Sequence, residues 1–450
     1  MRMRKALVSV LATAAGLGAL AGCGGGNASA GSAKDNPYEG KVVYWFWAES
    51  DVPGANKWMA GRIKEYERQH PKVHIQLVPQ STDTLQGAFQ TAAQSKSGPD
   101  IATQWATLPT LTPAWEGQSV PISDYVPKSE IDNWLNTQEN EYQGKVWAMP
   151  LYLLGEPFVW NKALFKKAGL DPNHGPQTWD ELLADCAKLK AAGITPIAMG
   201  NKDGAYGAWF AGVVGAQSLD SVKDLQDISL GKVKFSDPKY SRFLTMQAEL
   251  KQKGYFNNDI ASLPIEQGWQ LFAQQKAAMT WSTDGNVASW EKIVGADKLG
   301  VQPTPRWGTG KLANYYDATQ SSDAFITSWS NHKRAAAAFL AWLHQPQNLQ
   351  SWYETTGAFP ADRRFPVSRI KDPVAKQLYE LDTRPNQIWP ENYFPPQVDS
   401  NGIRPAGQMI LAGSGTPAQA AALWERTIKQ WKTQQPAQYQ KYQQWAAGTK

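Results

Sequence analysis

Tryptophan stands beside acidic and amide side chains at several points along this chain. One such group follows the apolar run of residues 42–46, a second follows the alternating run of residues 73–77, and a third comes shortly after Gly98. The residues of these groups that offer a ring face, a carboxylate or an amide are Trp47, Glu49, Asp83, Gln104 and Trp105. An aromatic face packs against C–H groups, while carboxylates and amides hydrogen-bond hydroxyl groups. These residue types are together suited to bind a polyhydroxylated ring such as a sugar.

The same acidic residues, and the histidines, are open to other interpretations. Glu49 with Asp51, or Glu156 with another carboxylate, could be the acid and nucleophile of a glycoside hydrolase, in which two carboxyl groups lie ~5 to 9 Å apart. Neighbours at i, i+2 in an extended loop point the same way, but this spacing does not establish such a pair. His70 and His74 cannot share one helical metal-binding face, because a proline between them separates a helix end from a strand. We expect no metal or other cofactor, and a secreted hydrolase stays as an alternative.

Tryptophan is also abundant in the chain as a whole. There are 21 tryptophans among 450 residues. The indole combines a large apolar face with one N–H donor, so an excess above what cores need suggests surfaces that bind by stacking. About half of these side chains are expected to be ordinary core residues.

The first part of the chain alternates strand and helix signals. Residues 42–46 are a continuous apolar run, as in a buried strand, and Met59, Ile63 and Tyr66 follow at helical spacing. Residues 73–77 then alternate apolar and polar side chains. This order predicts a mostly parallel sheet covered by helices, and such sheets bind ligands at the carboxyl ends of their strands.

A second helical signal lies near the middle of the chain. Thr178 and Glu181 have the spacing of a capping box, and Leu182, Cys186 and Leu189 then recur on one helical face. Cys186 is therefore expected to be a small buried side chain rather than a reactive one. With further helical patterns towards the carboxyl terminus, the chain is predicted to be an α/β protein of two lobes.

The charge balance argues against nucleic acid as a partner. The formal net charge is +5. Without Arg2, Arg4 and Lys5, which lie in a segment expected to be removed, 42 basic residues face 40 acidic ones. A phosphate-binding face would normally show as a clustered basic excess, which the sequence lacks.

The amino terminus has the features of an export signal. A short basic stretch precedes an apolar stretch that is too short for a membrane span of ~20 residues. This segment ends in Leu20-Ala-Gly-Cys23, which resembles the lipobox of bacterial lipoproteins. We expect residues 1–22 to be the signal peptide and residues 23–36 to be a lipidated Cys23 with a flexible linker. The mature protein would then be exported and anchored by lipid to the outer face of the cytoplasmic membrane.

Several segments resemble, in order and spacing, the family 1 extracellular solute-binding proteins, the maltose-binding-protein-like receptors. These segments are residues 97–101 (SGPDI), 142–151 (YQGKVWAMPL), 159–171 (VWNKALFKKAGLD), 176–182 (PQTWDEL), 272–279 (FAQQKAAM), 335–343 and 347–357. The resemblance covers nearly the whole mature chain. Gln275 departs from the pattern, since a glycine commonly precedes this lysine, and the match is weak over residues 389–413.

The resemblance implies a two-lobe, type II periplasmic-binding-protein-like fold with the ligand cleft between lobes joined by hinge crossings. The expected first lobe comprises residues 37–151 plus 303–342, and the second comprises residues 152–302 plus 343–450. Closure of the lobes would trap the ligand, and the membrane permease subunits of an ABC importer would recognise the closed form. The chain has no Gly-x-x-x-x-Gly-Lys-Ser/Thr loop for ATP, and a monomer is the family expectation.

By family position and local chemistry together, the expected site extends beyond the first group of residues. The additional ligand-binding candidates are Tyr152, Glu156, Trp209, Trp281, Asp284, Tyr316, Asp317 and Tyr393. The ligand is expected to be a carbohydrate, preferably an oligosaccharide, and a non-sugar polyol-type solute is the alternative. A phosphorylated ligand would need converging cations, and the candidate loops offer only Lys202.

Overall fold

The computed structural model describes residues 35–82 and 84–448. The expected signal peptide, Cys23 and most of the linker, as well as Asp83, lie outside the described residues. No helix in the described part is long and apolar enough to cross a membrane.

The strands are short and are distributed along the chain. They are β1 (Gly40–Phe46), β2 (Val73–Pro79), β3 (Ile101–Gln104), β4 (Ser119–Val120), β5 (Glu141–Tyr142), β6 (Lys145–Val146), β7 (Tyr152–Gly155), β8 (Phe158–Asn161), β9 (Thr195–Ile197), β10 (Ala277–Trp281), β11 (Leu299–Gln302), β12 (Tyr316–Ser321), β13 (Asp323–Thr327) and β14 (Gln387–Ile388).

Helices connect and cover these strands. They are α1 (Ala55–Gln69), α2 (Leu85–Ser95), α3 (Leu108–Trp115), α4 (Lys128–Ile131), α5 (Lys162–Lys167), α6 (Trp179–Ala191), α7 (Ala205–Val213), α8 (Val222–Ser229), α9 (Pro238–Gln252), α10 (Ile265–Ala273), α11 (Asp284–Val294), α12 (Lys333–Leu343), α13 (Pro346–Thr356), α14 (Pro373–Asp382), α15 (Pro396–Val398), α16 (Arg404–Ala412), α17 (Pro417–Gln434) and α18 (Pro436–Gly448).

The first lobe is built on a sheet with the strand order β2-β1-β3-β13-β4. The strands β2 and β3 both pair with β1 in parallel, as the βαβ pattern predicted. The strand β13 returns from much later in the chain and pairs with β3 and β4 in the antiparallel sense. Alternate residues of β1, from Val42 to Phe46, point into a core that is shared with α1 and α12.

The second lobe has its own sheet, with the strand order β11-β8-β10-β9, and its own core. All residues of β8 and β10 are buried, because helices cover both faces of these strands. Helix α6 contributes Leu182, Cys186 and Leu189 to this core, which confirms the predicted helix and the buried cysteine. Thr178 accepts the N–H of Glu181, but Glu181 accepts from Gln177 instead of Thr178, so half of the predicted capping box forms.

A small third sheet, β14-β12-β7, connects the lobes. The strand β7 leads from the first lobe into β8, and β12 leads back through Ser322 into β13. Ser322 has a φ of 55°, a left-handed conformation that turns the chain sharply between β12 and β13. The strand β7 begins next to the crossing expected near residue 151, whereas the turn at Ser322 comes later in the chain than the crossing expected near residue 303.

The third connection comes later in the chain than the sequence suggests. The expected boundary at residue 343 would put α13 in the second lobe. In the structure α13 packs against α1, and the rings of Trp58 and Trp352 meet edge to face with centroids 4.9 Å apart. The packing of α13 therefore favours a crossing after Thr356. The lobe boundaries otherwise stay a prediction.

Gln275, which replaces the glycine common at this position, lies in the turn between α10 and β10. Its φ is 59°, in the left-handed region that glycine adopts more easily than other residues. The departure therefore costs backbone strain at this turn.

Candidate functional site

A cleft lies between the two lobes, against the small connecting sheet. Among the described residues, the indoles of five tryptophans line it. They are Trp47, Trp105, Trp209, Trp269 and Trp389. Aromatic side chains thus face the cleft from the first lobe, from the second lobe and from the carboxyl-terminal segment.

The wall on the first lobe begins where β1 and β3 end. Trp47 and Trp105 follow these strands, and their rings meet edge to face with centroids 5.6 Å apart. The indole Nε1 of Trp47 donates to the hydroxyl of Thr82, 3.2 Å away, which fixes the orientation of the ring. Because parallel strands end at the same edge of a sheet, the two tryptophans form one continuous aromatic surface.

The guanidinium of Arg404 covers part of this surface. Its Cζ lies 5.6 Å from the centroid of Trp105, and its Nε donates to Asp399 at 2.8 Å. Thr82, Trp105 and Arg404 also line a second cavity that opens beside the first. The cleft therefore continues past Arg404.

The opposite wall is a cluster of three tryptophans. The ring of Trp209, on α7, lies 5.5 Å from that of Trp269 and 5.7 Å from that of Trp389, measured between centroids. The Nε1 of Trp269 donates to the backbone oxygen of Trp281 at 2.9 Å. This hydrogen bond anchors Trp269 to the end of β10, in the core of the second lobe.

The residues after β1 also join the two lobes directly. The hydroxyl of Thr283 donates to the backbone oxygen of Asp51 at 2.8 Å, and the hydroxyl of Ser50 donates to Glu266 at 2.5 Å. A β-carbon on Gly285 would lie 2.6 Å from the same oxygen of Asp51, so only glycine permits this approach. The lobes are thus in contact at the floor of the cleft.

Acidic side chains are concentrated at this floor. Asp51 lines the cleft and accepts a hydrogen bond from the hydroxyl of Tyr152 at 3.3 Å. Burial raises the pKa of Asp51 to about 7, with the hydrogen bond from Tyr152 opposing this shift and the nearby Glu266 and Asp284 adding to it. Glu391 also lines the cleft, and burial together with Asp317 and Asp399 holds its pKa well above the usual range.

Glu156 lies close behind these groups and is 1% exposed. Neither of its carboxyl oxygens has a hydrogen-bond partner. Burial, with the charges of Glu391, Asp317 and Asp51, raises its pKa well above the usual range. Burial and the neighbouring acidic charges therefore disfavour ionisation of this carboxyl group.

A second acidic pair lies beneath β7. The Oδ2 of Asp284 accepts the backbone N–H of Gly155 at 2.7 Å. Asp382 lies nearby, and burial together with the charge of Asp284 raises the pKa of Asp382 well above its usual range. A β-carbon on Gly155 would meet Asp382 at 2.1 Å. Glycine is thus required where the connecting strand passes over the two carboxyl groups.

The structure brings several of the sequence-predicted residues together at the cleft. Trp47, Trp105 and Trp209 line it directly. The hydroxyl of Tyr152 donates a hydrogen bond to Asp51, which lines the cleft. Glu156 and Asp284 lie behind the lining, among the buried acidic groups. Their part in ligand binding stays a prediction.

Other predicted residues lie elsewhere. Glu49 is exposed and accepts the backbone N–H groups of Gly54 and Asn56 at the start of α1, as a capping side chain does. Gln104 is buried within the first sheet, on the strand that pairs with β13. Neither of these side chains faces the cleft.

Trp281 is fully buried in the core of the second lobe. Its ring packs edge to face on Phe158, with centroids 4.9 Å apart, and its Nε1 donates to Thr304 at 3.0 Å. The backbone oxygen of Trp281 holds Trp269 in the cleft wall, so Trp281 supports the site from behind.

The remaining candidates are at the rear of the connecting sheet. Tyr316 and Asp317 line a separate cavity of about 990 Å³, where the Cζ of Arg384 lies 5.3 Å from the ring centroid of Tyr316. Tyr393 packs on Trp445 instead of facing the cleft, with ring centroids 5.8 Å apart.

Several cleft residues have no counterpart among the sequence candidates, and four of them are aromatic or charged side chains that sequence reasoning missed. They are Trp269, Trp389, Glu391 and Arg404. Trp269 has the pattern of a core residue on an amphipathic helix, so the sequence does not indicate that it also lines the cleft. The other three lie in residues 389–413, where the motif match was weak, although the aromatic and acidic composition of residues 389–393 offered a signal.

Known proteins are similar to this chain over most of its length. Residues 50–350 match the family described as bacterial extracellular solute-binding protein. An uncharacterized ABC transporter extracellular-binding protein of Pyrococcus horikoshii is 24% identical over 387 residues, which is 82% of this chain and 82% of the relative.

Two further comparisons differ in extent. The sn-glycerol-3-phosphate-binding periplasmic protein UgpB of Shigella flexneri is 26% identical over 226 residues, and this match spans 46% of the chain and only 49% of UgpB. A solved chitin oligosaccharide binding protein superposes with a TM-score of 0.78 at 20% identity, covering 87% of this chain and 98% of that protein. This second likeness shows a shared two-lobe fold. With the family match over residues 50–350, the chain belongs to the bacterial extracellular solute-binding proteins.

Proposed function

We propose that this protein is the substrate-binding subunit of an ABC-type carbohydrate importer. It would capture a sugar, preferably an oligosaccharide, between its lobes and deliver it to the membrane permease. The observation on which this proposal depends is the cleft with tryptophans on opposing walls and acidic groups at its floor.

The geometry suits a pyranose ring. Trp47 and Trp105 on one wall and Trp209 on the other offer flat apolar faces to the C–H groups of a sugar. The carboxyl groups of Asp51 and Glu391 and the hydroxyls of Thr319 and Ser321 can bond to the sugar hydroxyls. These partners are needed because an unmet buried polar group costs ~1 to 3 kcal/mol.

The walls come from different lobes, so a sugar held between them makes more contacts in the closed form than in the open form. A ligand shifts a conformational equilibrium only through such a difference in affinity. The hydrogen bond from the Thr283 hydroxyl to the backbone oxygen of Asp51 supports the proposal that these segments meet on closure. We propose that the permease recognises this closed form.

A phosphorylated solute fits the cleft less well. Among the residues that line its inner part, Arg404 is the single cationic side chain, and Asp399 already accepts its Nε–H. Lys202 lines only the outer cavity. The partial likeness to UgpB therefore does not lead us to propose a glycerol phosphate ligand.

We also propose that the protein does not hydrolyse the sugar. The imagined pair Glu49 and Asp51 is divided in the structure, since Glu49 caps α1 at the surface while Asp51 is buried at the cleft floor. Hydrolysis needs two carboxyl groups on either side of one scissile bond.

Lipid anchoring through Cys23 is proposed from the sequence alone. Lipidation would hold the mature chain at the outer face of the cytoplasmic membrane, near the permease, and the linker after it would allow the lobes to move. We propose that the protein acts as a monomer.

A thermal-shift screen of the chain from residue 24 onward against mono- and oligosaccharides tests the proposal. A ligand that binds only the folded state adds ~2.7 kcal/mol of stability at a hundredfold excess over its dissociation constant. We expect a clear shift with at least one sugar, which should be recovered unaltered. No shift with any sugar would contradict the carbohydrate assignment, and recovery of cleaved sugar would contradict the receptor assignment.

A further inference from the structure

The inner cleft has an excess of acidic groups over cationic ones. Asp51 and Glu391 line it, and Glu156 lies immediately behind. The single cation among the described lining residues, Arg404, donates to Asp399 and is also close to Asp203 and Glu391. Its charge is therefore shared among three acidic groups at the rim, and only acidic charges act on Asp51 and Glu156 at the floor.

Some of these groups also lack any hydrogen-bond partner within the protein. Glu391 Oε1 and both oxygens of Glu156 are buried without one. The same is true of the hydroxyl of Ser321, which lines the cleft and is 1% exposed. Buried polar atoms are normally paired, so a cluster of unpaired ones in a ligand cleft indicates where a ligand's polar group belongs.

The character of the missing group follows from these atoms. A carboxylate only accepts hydrogen bonds, and several carboxyl groups near one another repel each other when they ionise. A hydroxyl group can supply one donor but no charge. An ammonium group supplies three donors together with the positive charge that the floor lacks.

The surrounding tryptophans favour the same kind of group. The face of an indole attracts a cation within ~6 Å of its centroid, and this attraction strengthens when water is excluded. Trp209 and Trp389 are neighbours at the second wall, and both line the cleft together with Glu391. An ammonium group at the floor would thus lie among carboxyl groups and aromatic rings.

We propose that the natural ligand is an amino sugar, whose protonated amine binds at the cleft floor between Asp51 and Glu391. This inference rests on the proposed function, since it names the chemical class of sugar that the same cleft selects. The rest of the ring would stack on the tryptophans as any pyranose does. Selection would come from the charge of the amine.

The test compares sugars that differ only in the group at carbon 2. Glucosamine, galactosamine and mannosamine, and the β-1,4-linked oligomers of glucosamine, are titrated calorimetrically against their N-acetylated and hydroxyl counterparts. We expect at least one amine to bind ~10-fold or more tightly than both of its counterparts. Equal or tighter binding of the neutral sugars would overturn the amino-sugar inference while leaving the sugar receptor intact. If no sugar binds at millimolar concentration, both the proposed sugar receptor and the amino-sugar inference are contradicted.

Variants then locate the amine. Glu391→Gln should reduce the preference for the amine over the hydroxyl sugar at least ~10-fold, since the amide keeps the shape but loses the charge. Asp51→Asn provides a second such change if Glu391→Gln does not fold. Glu354→Gln, on the exposed face of α13, is the matched control and should leave the preference unchanged. An unchanged preference in both cleft variants would overturn the placement of the amine.

Discussion

Trp209 and Trp389 meet edge to face, with their ring centroids 5.7 Å apart, although 179 intervening residues separate them along the chain. Trp209 packs against the core residues of both lobes, and Trp389 belongs to the core of the first. The pair thus joins the second lobe to the segment that follows the connecting sheet. A ligand on this pair would contact both the second lobe and that segment.

Replacing Trp209 by alanine should weaken sugar binding by more than ~10-fold, because the ring supplies one aromatic wall. Titration calorimetry measures this effect. Trp307→Ala is a suitable control, since Trp307 is likewise half-buried in the second lobe but lies outside the cleft. Equal losses in both variants would mean that the effect of Trp209 is structural.

Replacing Trp281 by alanine should act mainly on stability. The side chain is fully buried, and truncation of a core tryptophan costs ~3 to 5 kcal/mol of unfolding free energy. Urea unfolding followed by fluorescence or circular dichroism measures the loss. Nearly wild-type stability would mean that this side chain is not the core residue that its contacts indicate.

Stability should fall as the pH rises from about 5.5 to about 8.5. Burial raises the pKa of Asp51, Glu139 and Asp284 to about 7 and that of Glu291 and Asp317 to about 8. Unfolded carboxyl groups titrate near ~4, so in this range the folded state binds more protons, and the unfolding free energy decreases with pH.

Melting temperatures of the ligand-free protein in matched buffers test this pH dependence. The melting temperature should be lower by ~5 °C or more at the higher pH. Carboxyl groups with a lowered pKa, such as Asp362, lose their contribution only below ~4, outside the range tested. A flat or rising profile would contradict the burial of these acids in neutral form.

Replacing Cys23 by alanine should release the protein from the membrane in its native host. A lipid-modified cysteine is the anchor that the sequence predicts, and the chain has only one other cysteine, Cys186, which is buried. Fractionation followed by immunoblotting measures the distribution, and Cys186→Ser is the control. Continued membrane association of the Cys23 variant would contradict the anchor.

Local patterns in the sequence predicted the elements well where one physical rule dominates. The run of residues 42–46 is a strand because its apolar side chains are buried, and Cys186 is buried because it shares a helical face with Leu182 and Leu189. Trp47 and Trp105 line the cleft because both follow strands that end at the same edge of one sheet.

The rest of the site depends on contacts between distant segments. Trp281 at the end of β10 and Trp269 in the middle of α10 both have the pattern of core residues, yet only Trp269 also lines the cleft. Glu391 and Arg404 come from a segment with weak motifs, which is placed by packing against α7 and α17. The packing of α13 against α1 likewise favours a crossing after α13, and no local sequence pattern predicts that packing.

Titration calorimetry of the purified protein with the sugars that raise its melting temperature tests directly whether the cleft binds a sugar without cleaving it. We expect saturable binding of one sugar molecule per chain, with the sugar recovered intact and with binding weakened by Trp209→Ala. An absence of binding heat across mono- and oligosaccharides, or cleavage of the sugar during the titration, would contradict this expectation.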